Sequence, residues 1–268
     1  MTNNDFSALE QMTYSGRGIT VGMTPSGAPF IGYSLTGRSP PSQARELVYD
    51  EKNQVVRTSV TDPEQLADGS PALLLYPAIA NSSKGMVVSN GAQTKLIYSE
   101  AIRIVGKTTE EVLGRALGAR AFGPYESFWE YDAKEGWIDI TSYEPDAPNF
   151  TPRISAYQRG SNAAMYIVRK TEDGGLFSIG FKISLIPKEG KLITTYKGGN
   201  EKPLLPFDSN PLDVAITSES PEEIVDSLYD AIKGGQNPED NYRVASAVMM
   251  LKDGKPEVAI RNRNELGS

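Results

Sequence analysis

The chain has 268 residues and a formal net charge of −7 at pH 7, and it contains neither cysteine nor histidine. These absences exclude disulfides, thiolate zinc sites and every catalytic arrangement that needs an imidazole or a thiol. Acid–base chemistry must therefore use carboxylates, lysines, tyrosines, an amine or water, and a metal ion would need oxygen ligands. The acidic composition argues against a nucleic-acid partner, although a few local arginines can still bind a small phosphorylated ligand.

The chain from residue 18 to residue 89 is predicted to be rich in strands. Its six candidate strands are residues 18–23, 28–35, 46–49, 55–60, 72–79 and 85–89. Turn-forming residues at 24–27 and 50–53 connect the first four of these segments into two hairpins. The last two segments are continuously apolar, which is typical of strands that are buried on both faces.

Two helices are marked by capping residues. Thr108 can cap the first helix, because a glutamate three residues later completes a capping box. The second helix is predicted to begin after Ser220, with Pro221 in its first position, and to end at Gly234. Further strands are predicted at residues 137–142, 153–157, 164–169, 177–186, 191–196 and 243–251. Many strands, few helices and no regular β-α-β alternation predict an α+β fold.

We expect a single domain that spans residues 1–268. Residues 197–206 are rich in proline and glycine and form either a linker or a loop within the domain. Residues 197–268 are then predicted to be a C-terminal extension with one helix and a final strand. No apolar stretch is long enough to span a membrane, and residues 1–15 lack the pattern of a signal peptide, so we expect a cytoplasmic protein without a membrane partner.

Four polar, loop-like segments concentrate arginine, asparagine and tyrosine side chains: residues 14–17, 33–40, 87–94 and 143–153. In the last of these segments, three prolines disfavour a helix, so the loop can hold Glu144 and Asp146 in fixed positions. One alternative is a surface turn whose arginine pairs with its own acids. A second alternative is a Mg²⁺ site at the two carboxylates.

Two of the other segments can bind parts of a nucleotide. Arg38 and Ser39 lie beside free backbone N–H groups and can hold a phosphate, whereas a surface ion pair is the alternative for Arg38. Asn90 and Thr94 can bond the edge of a heterocycle. The alternative there is a tight hairpin turn with positive φ at Asn90-Gly91.

Taken together, the four segments resemble the archaeal-type IMP cyclohydrolase family, including its bacterial relatives. The resemblance is carried by residues 14–17, Tyr33 with residues 37–39, residues 87–91 with Thr94, and residues 149–153. It implies that the chain converts 5-formamidoimidazole-4-carboxamide ribotide into IMP and water in purine biosynthesis. It also implies a four-layer αββα sandwich similar to that of the Ntn hydrolases. One departure is the spacing from Arg38 to the next arginine, Arg45, which is longer than in the family pattern.

The resemblance implies roles for individual residues. The reaction needs a base for the carboxamide nitrogen and an acid for the departing oxygen, and orientation within one molecule supplies much of the rate. We expect Glu144 to be the carboxyl catalyst and Tyr76 to donate its hydroxyl to the developing oxyanion, with Tyr143 as the substitute donor. The expected substrate-binding residues are Arg17, Tyr33, Arg38, Ser39, Asn90, Thr94, Asn149 and Arg153. Of the two arginines Arg38 and Arg153, one would hold the phosphate.

We expect a small nucleotide as the substrate, no cofactor, no metal ion and assembly into a homo-oligomer. Two other functions stay open. A non-catalytic purine-nucleotide binding module would use the same arginines without turnover. An Ntn-type amide hydrolase would need a nucleophile at a processed N-terminus.

Overall fold

The computed structural model describes residues 4–103, 105–118, 128–234 and 241–265. Its strands are β1 (Arg17–Met23), β2 (Pro29–Thr36), β3 (Arg45–Asp50), β4 (Val55–Val60), β5 (Pro77–Ser82), β6 (Gly85–Ser89), β7 (Trp129–Asp132), β8 (Gly136–Asp139), β9 (Arg153–Arg159), β10 (Asn162–Lys170), β11 (Leu176–Ser184), β12 (Glu189–Thr194), β13 (Leu212–Ala215), β14 (Arg243–Lys252) and β15 (Lys255–Asn262). Its α-helices are α1 (Ser7–Glu10), α2 (Pro40–Gln43), α3 (Pro63–Ala67), α4 (Pro71–Leu74), α5 (Thr94–Arg103), α6 (Thr109–Leu117) and α7 (Pro221–Ala231). None of these helices is long and apolar enough to cross a membrane.

The strands form two large antiparallel sheets and a small hairpin. The six-stranded sheet has the order β13-β12-β1-β2-β14-β15, and the seven-stranded sheet has the order β11-β10-β9-β6-β5-β4-β3. Strands β7 and β8 pair with each other in the separate hairpin. The chain is therefore a mixed α/β protein built on antiparallel sheets. Both predicted hairpins are confirmed, as β1–β2 and β3–β4.

Alternating side chains place the main core between the two large sheets. In β1, Ile19 and Val21 are fully buried and belong to the central apolar cluster, whereas Thr20 lies on the opposite face of the strand. Ile154 of β9 and Met165 of β10 belong to the same cluster from the other sheet. Burial of these side chains from water holds the sheets face to face.

The longer helices cover the outer faces of the sheets. Helix α7 packs on β2, β14 and β15, and Gly32 leaves room for it, because a Cβ at Gly32 would lie 3.2 Å from Leu228 Cδ2. Helices α5 and α6 pack on the seven-stranded sheet, with Ile97 and Leu113 in one cluster with Tyr157. In each helix, apolar residues at helical spacing make one buried face.

Both capped helices begin where the sequence predicts. At α6, Thr108 Oγ1 accepts a hydrogen bond from the Glu111 N–H at 3.2 Å, and the Glu111 carboxylate accepts one from the Thr108 N–H at 2.9 Å. At α7, Ser220 Oγ accepts from the Glu223 N–H at 3.4 Å, and Pro221 lies in the first turn. The predicted N-caps are confirmed for both helices, whereas α7 ends at Ala231, three residues before the predicted Gly234.

The prediction of one strand over residues 72–79 is wrong. The first half of this segment belongs to α4, and β5 begins only at Pro77. The carboxylate of Asp132 accepts a hydrogen bond from the Ala72 N–H at 3.0 Å, which stabilises the first turn of α4. This partner lies far along the chain, so the apolar run alone suggested a strand.

The hairpin expected as an alternative at Asn90-Gly91 is also wrong. Gly91 does not take a positive φ, and the chain leads from β6 into α5. The Asn90 side chain is bonded to the backbone of β9 and its approach, at Pro152 and Ile154, so it does not turn the chain back on β6.

The C-terminal part of the chain completes the six-stranded sheet. Strand β14 lies between β2 and β15, and β13 pairs with β12 at the other edge. After residue 197 the described chain contains three strands, where the sequence predicts one. Strand β15 escapes an apolar-run criterion, because its apolar run, Val258 to Ile260, is only three residues long and is flanked by Glu257 and Arg261.

The sheet order brings the ends of several strands to one edge of the molecule. In the six-stranded sheet, β1 and β14 begin at this edge, where β2 and β12 end. In the seven-stranded sheet, β6 ends and β9 begins there. Residues just outside these strands therefore meet, although they are far apart along the chain.

Candidate active site

A cleft of about 1070 Å³ opens at this edge of the two sheets. Its floor contains Arg17 from β1 and the loop that precedes β9, with Glu144, Asp146 and Thr151. Basic side chains also line the cleft: Arg38, Lys134 and Lys202 from loops, and the buried Arg45 from the start of β3. The combination of buried carboxylates and basic groups suits a polar, anionic ligand.

A buried ion-pair cluster forms the floor. Glu144 Oε1 lies 2.6 Å from Arg17 Nη2 and 3.3 Å from Arg153 Nη1, and all three side chains are buried. Burial disfavours the charged guanidinium of Arg17, but the Glu144 carboxylate raises its pKa well above the usual value. Arg17 Nη2 also donates to the Asn90 carbonyl at 3.3 Å, whereas its Nε has no partner among the described residues.

A layer of amides supports Arg153 from behind. Arg153 Nη1 donates to Gln93 Oε1 at 3.3 Å, and Gln93 Nε2 donates to Asn90 Oδ1 at 3.0 Å. Gly91 is needed here, because a Cβ at this position would lie 2.0 Å from Arg153 Nη1. The Thr94 hydroxyl, bonded to the Gly91 carbonyl at 3.1 Å, closes the turn into α5.

A hydrogen-bonded chain runs along one side of the floor. Asp146 Oδ1 accepts from the Thr151 N–H at 2.6 Å, and Asp146 Oδ2 accepts from the Thr151 hydroxyl. The same hydroxyl lies 2.6 Å from the Tyr196 hydroxyl. Burial and the nearby Glu144 carboxylate raise the pKa of Asp146 to about 6, and this value is within reach of physiological pH.

Aromatic rings form one wall of the cleft. The Tyr14 and Tyr196 rings are stacked with centroids 5.8 Å apart, and the Tyr242 ring meets Tyr14 edge-on at 5.4 Å. Arg38 Cζ lies 4.8 Å from the centre of the Tyr14 ring, and Arg38 Nη1 donates to Asn200 Oδ1 at 2.8 Å. Tyr14 and Tyr196 are buried, so a ligand can reach this wall mainly at the half-buried Tyr242 and at the Arg38 guanidinium, which can meet a negative charge.

Five of the predicted site residues line this cleft, and these are Arg17, Arg38, Ser39, Glu144 and Asn149. Asn149 Oδ1 accepts from the Leu204 N–H at 3.1 Å. Arg153 lies directly behind Glu144, and Asn90 and Thr94 are fully buried behind Arg153. These positions do not test the roles assigned to the residues, which stay predictions.

The three predicted tyrosines lie away from the cleft lining. Tyr33 and Tyr76 are buried in the central core, where their hydroxyls lie 2.8 Å apart. Burial, with Tyr76 beside it, raises the pKa of Tyr33 well above its usual value. Tyr143 donates to the Gly174 carbonyl at 3.4 Å and packs edge-on against Phe150.

Several cleft residues were not singled out as site residues from the sequence. They are Tyr14, Arg45, Thr151, Tyr196 and Tyr242, together with Asp146, which the sequence marked as a fixed loop carboxylate and alternatively as a metal ligand, without a catalytic role. In the described part of the chain, no group of three or more acidic side chains is placed to hold a metal ion. The proline-rich loop pointed to Asp146 and Thr151, but the contact with Tyr196 depends on the meeting of the two sheets.

Comparison with known families gives one match. A family model described as IMP cyclohydrolase-like protein matches residues 14–127 and 131–255, which cover most of the chain and include every residue of the cleft named above. No curated protein matches the sequence.

Proposed function

The chain belongs to the IMP cyclohydrolase-like protein family, and we propose on this basis that it cyclises 5-formamidoimidazole-4-carboxamide ribotide to IMP with loss of water. The observation that carries the proposal is the cleft, in which an aromatic wall faces basic side chains and a buried carboxylate cluster. The four-layer αββα arrangement is part of the same proposal. The packing of α7 on one sheet and of α5 and α6 on the other supports it.

The cleft offers separate places for the parts of a ribotide. The imidazole ring would pack against the half-buried Tyr242 of the tyrosine wall, and the phosphate would lie near Arg38 and Arg45. The two amide groups would then face Arg17 at the floor. The cleft volume of about 1070 Å³ is at the upper end of small-molecule sites, so a mononucleotide can enter it.

The residues of the floor would help the reaction by orienting the substrate and by stabilising the charge that develops on it. The attacking nitrogen and the formyl carbon belong to one molecule, so a fixed conformation removes much of the entropic barrier. Arg17, held by Glu144 at 2.6 Å, can stabilise the negative charge that develops on the formyl oxygen. Glu144 remains the carboxylate whose catalytic role we propose to test first.

The test is conversion of the formylated carboxamide ribotide to IMP by the wild-type protein and by Glu144→Gln. We expect turnover by the wild type and a loss of about 100-fold or more in the variant, because the neutral amide removes the charge that holds Arg17. The matched control is Glu135→Gln, which changes a half-buried carboxylate of the same cleft that accepts from the Ser70 hydroxyl and pairs with no arginine among the described residues. Its turnover should stay within about twofold of the wild type.

Thermal unfolding with and without IMP completes the test. A shift without turnover would overturn the enzymatic proposal and favour the non-catalytic purine-nucleotide binding module. If the protein shows neither turnover nor a thermal shift with IMP, both functions are excluded. Equal turnover in the wild type and Glu144→Gln would remove Glu144 from catalysis.

A further inference from the structure

We propose that Asp146, Thr151 and Tyr196 form a proton relay into the cleft, in which Asp146 stores the proton and Tyr196 exchanges it with the substrate. The proposal rests on the cyclohydrolase function proposed above. It assigns the acid–base work to residues that are distinct from the Glu144 cluster, which is occupied by two guanidinium groups.

The three groups are connected and fixed in place. Thr151 is buried and stands between the other two, with its hydroxyl bonded to Asp146 Oδ2 and 2.6 Å from the Tyr196 hydroxyl. A second hydrogen bond, from the Thr151 N–H to Asp146 Oδ1 at 2.6 Å, holds the carboxyl group whichever way the hydroxyls point. The Tyr196 ring is stacked on Tyr14 in the cleft wall, so its hydroxyl has a defined position.

Each hydroxyl of the relay has one hydrogen to donate, so all of its hydrogen bonds point in the same direction. When Asp146 is ionised, Thr151 donates to it and Tyr196 donates to Thr151, so the Tyr196 oxygen is left to accept from the cleft. When Asp146 is protonated, every bond in the chain reverses, and Tyr196 presents its hydrogen to the cleft.

The surroundings of Asp146 allow both states near neutral pH. Burial and the charge of Glu144 on the same loop raise its pKa to about 6, and Arg17 from β1 opposes this shift. Arg153 from β9 and Tyr196 after β12 are the other ionisable groups that interact with it. Tyr196 itself stays neutral, because burial raises the pKa of its hydroxyl.

The relay accounts for the protons of the ring closure. As the carboxamide nitrogen bonds to the formyl carbon, one N–H bond breaks and its proton passes through Tyr196 and Thr151 to Asp146. The electron pair of the formyl double bond moves to the oxygen, and the stored proton returns along the chain to make a hydroxyl. That hydroxyl then leaves with the proton of the formamide nitrogen as water, while the N–H electron pair forms the new C=N bond.

The experiment compares Thr151→Val with Thr151→Ser. Valine keeps the shape but interrupts the relay, so kcat should fall about 100-fold with KM within about threefold of the wild type. Serine keeps the hydroxyl and should restore kcat to within about fivefold of the wild type. The wild-type kcat should decline below about pH 6, and Asp146→Asn should lose this limb of the profile.

The outcomes separate the relay from the function. If the wild type makes IMP and the valine and serine variants have the same kcat, the relay is overturned and the cyclohydrolase function stands. An acid limb that persists in Asp146→Asn also overturns it. If the wild type makes no IMP, the proposed function fails and the relay falls with it.

Discussion

Two guanidinium groups share one carboxylate oxygen at the floor of the cleft, Arg17 at 2.6 Å and Arg153 at 3.3 Å. Within this trio two positive charges meet one negative charge, and the nearby Asp146 supplies a second negative charge when it is ionised. Removing the carboxylate from such a buried group costs about 3–5 kcal/mol, because the remaining charges lose their partner. Arg17 lines the cleft and Arg153 does not, so Arg17 is the guanidinium of the two that can meet an electron-rich ligand group.

Arg38 gives a prediction at the level of ligand binding. Arg38→Ala should raise KM about 10-fold or more with little change in kcat, because a charge-assisted bond to the phosphate persists from ground state to transition state. Steady-state kinetics with the ribotide measure both constants. Arg57→Ala is the control, since Arg57 is exposed on β4 and does not line this cleft. A fall in kcat at constant KM would contradict the assignment.

The sequence identifies some residues of the cleft and misses others for a physical reason. Arg17, Arg38 and Glu144 stand in polar loops with unusual composition, so residue types alone mark them. Tyr196 is unremarkable in sequence, and its contact with Thr151 exists because strands from two different sheets meet at the same edge. Local composition does not contain that information.

Helix α5 shows how a distant contact decides an element. Asn90-Gly91 is a typical hairpin turn by local preference. In the structure, Asn90 Nδ2 donates to the Pro152 carbonyl at 2.8 Å and Asn90 Oδ1 accepts from the Ile154 N–H at 2.9 Å. These bonds fix the end of β6 against β9 and direct the chain into a helix. Elements defined by caps, such as α6, are predictable because their bonds are local.

Helix α6 gives a prediction on stability. Gly114 lies in its interior, and a Cβ there would meet no atom from the other described parts of the chain within 4 Å. Gly114→Ala should raise the free energy of unfolding by about 0.5–1 kcal/mol, because alanine loses less backbone entropy in a helix. Chemical denaturation measures the change.

The control variant for this prediction should change the free energy of unfolding in the opposite direction. Gly22→Ala places a Cβ 2.4 Å from Phe30 Cζ in the six-stranded sheet and should lower the free energy of unfolding. A destabilised Gly114→Ala would show that α6 does not tolerate a side chain at that position.

The whole molecule should show a pH dependence of stability that originates at Asp146. Its pKa is about 6 in the folded protein and 3.8 in an unperturbed chain, so between these values the folded state holds a proton that the unfolded state has released. The contribution of this group to stability is therefore most favourable at low pH and is lost as pH rises through about 6. Over this range the loss reaches up to roughly 3 kcal/mol.

The measurement is the difference in unfolding free energy between Asp146→Asn and the wild type. Asparagine cannot ionise, so this difference should grow in favour of the variant from about pH 4 to pH 7. Asp68→Asn, at an exposed aspartate of the cleft rim, is the matched control. If the difference does not change between pH 4 and pH 7, the pKa of Asp146 is not raised in the folded protein.

The fold class of the protein can be predicted from the sequence more readily than the order of its strands. Alternating and continuous apolar patterns locate most strands within a few residues, since each pattern reflects burial on one or two faces. Strand order does not follow from such patterns. The residues of β14 do not indicate that this strand lies beside β2 rather than beside β12.

The position of β14 between β2 and β15 has a consequence during biosynthesis. The seven-stranded sheet comes from one contiguous stretch, β3 to β6 and β9 to β11, whereas the six-stranded sheet joins strands from both parts of the chain that flank it. A translating ribosome therefore releases the β1–β2 hairpin long before β12 and β14 emerge to pair with its two edges. Stalled or truncated products would carry these open edges, which are the features that promote aggregation and bind chaperones.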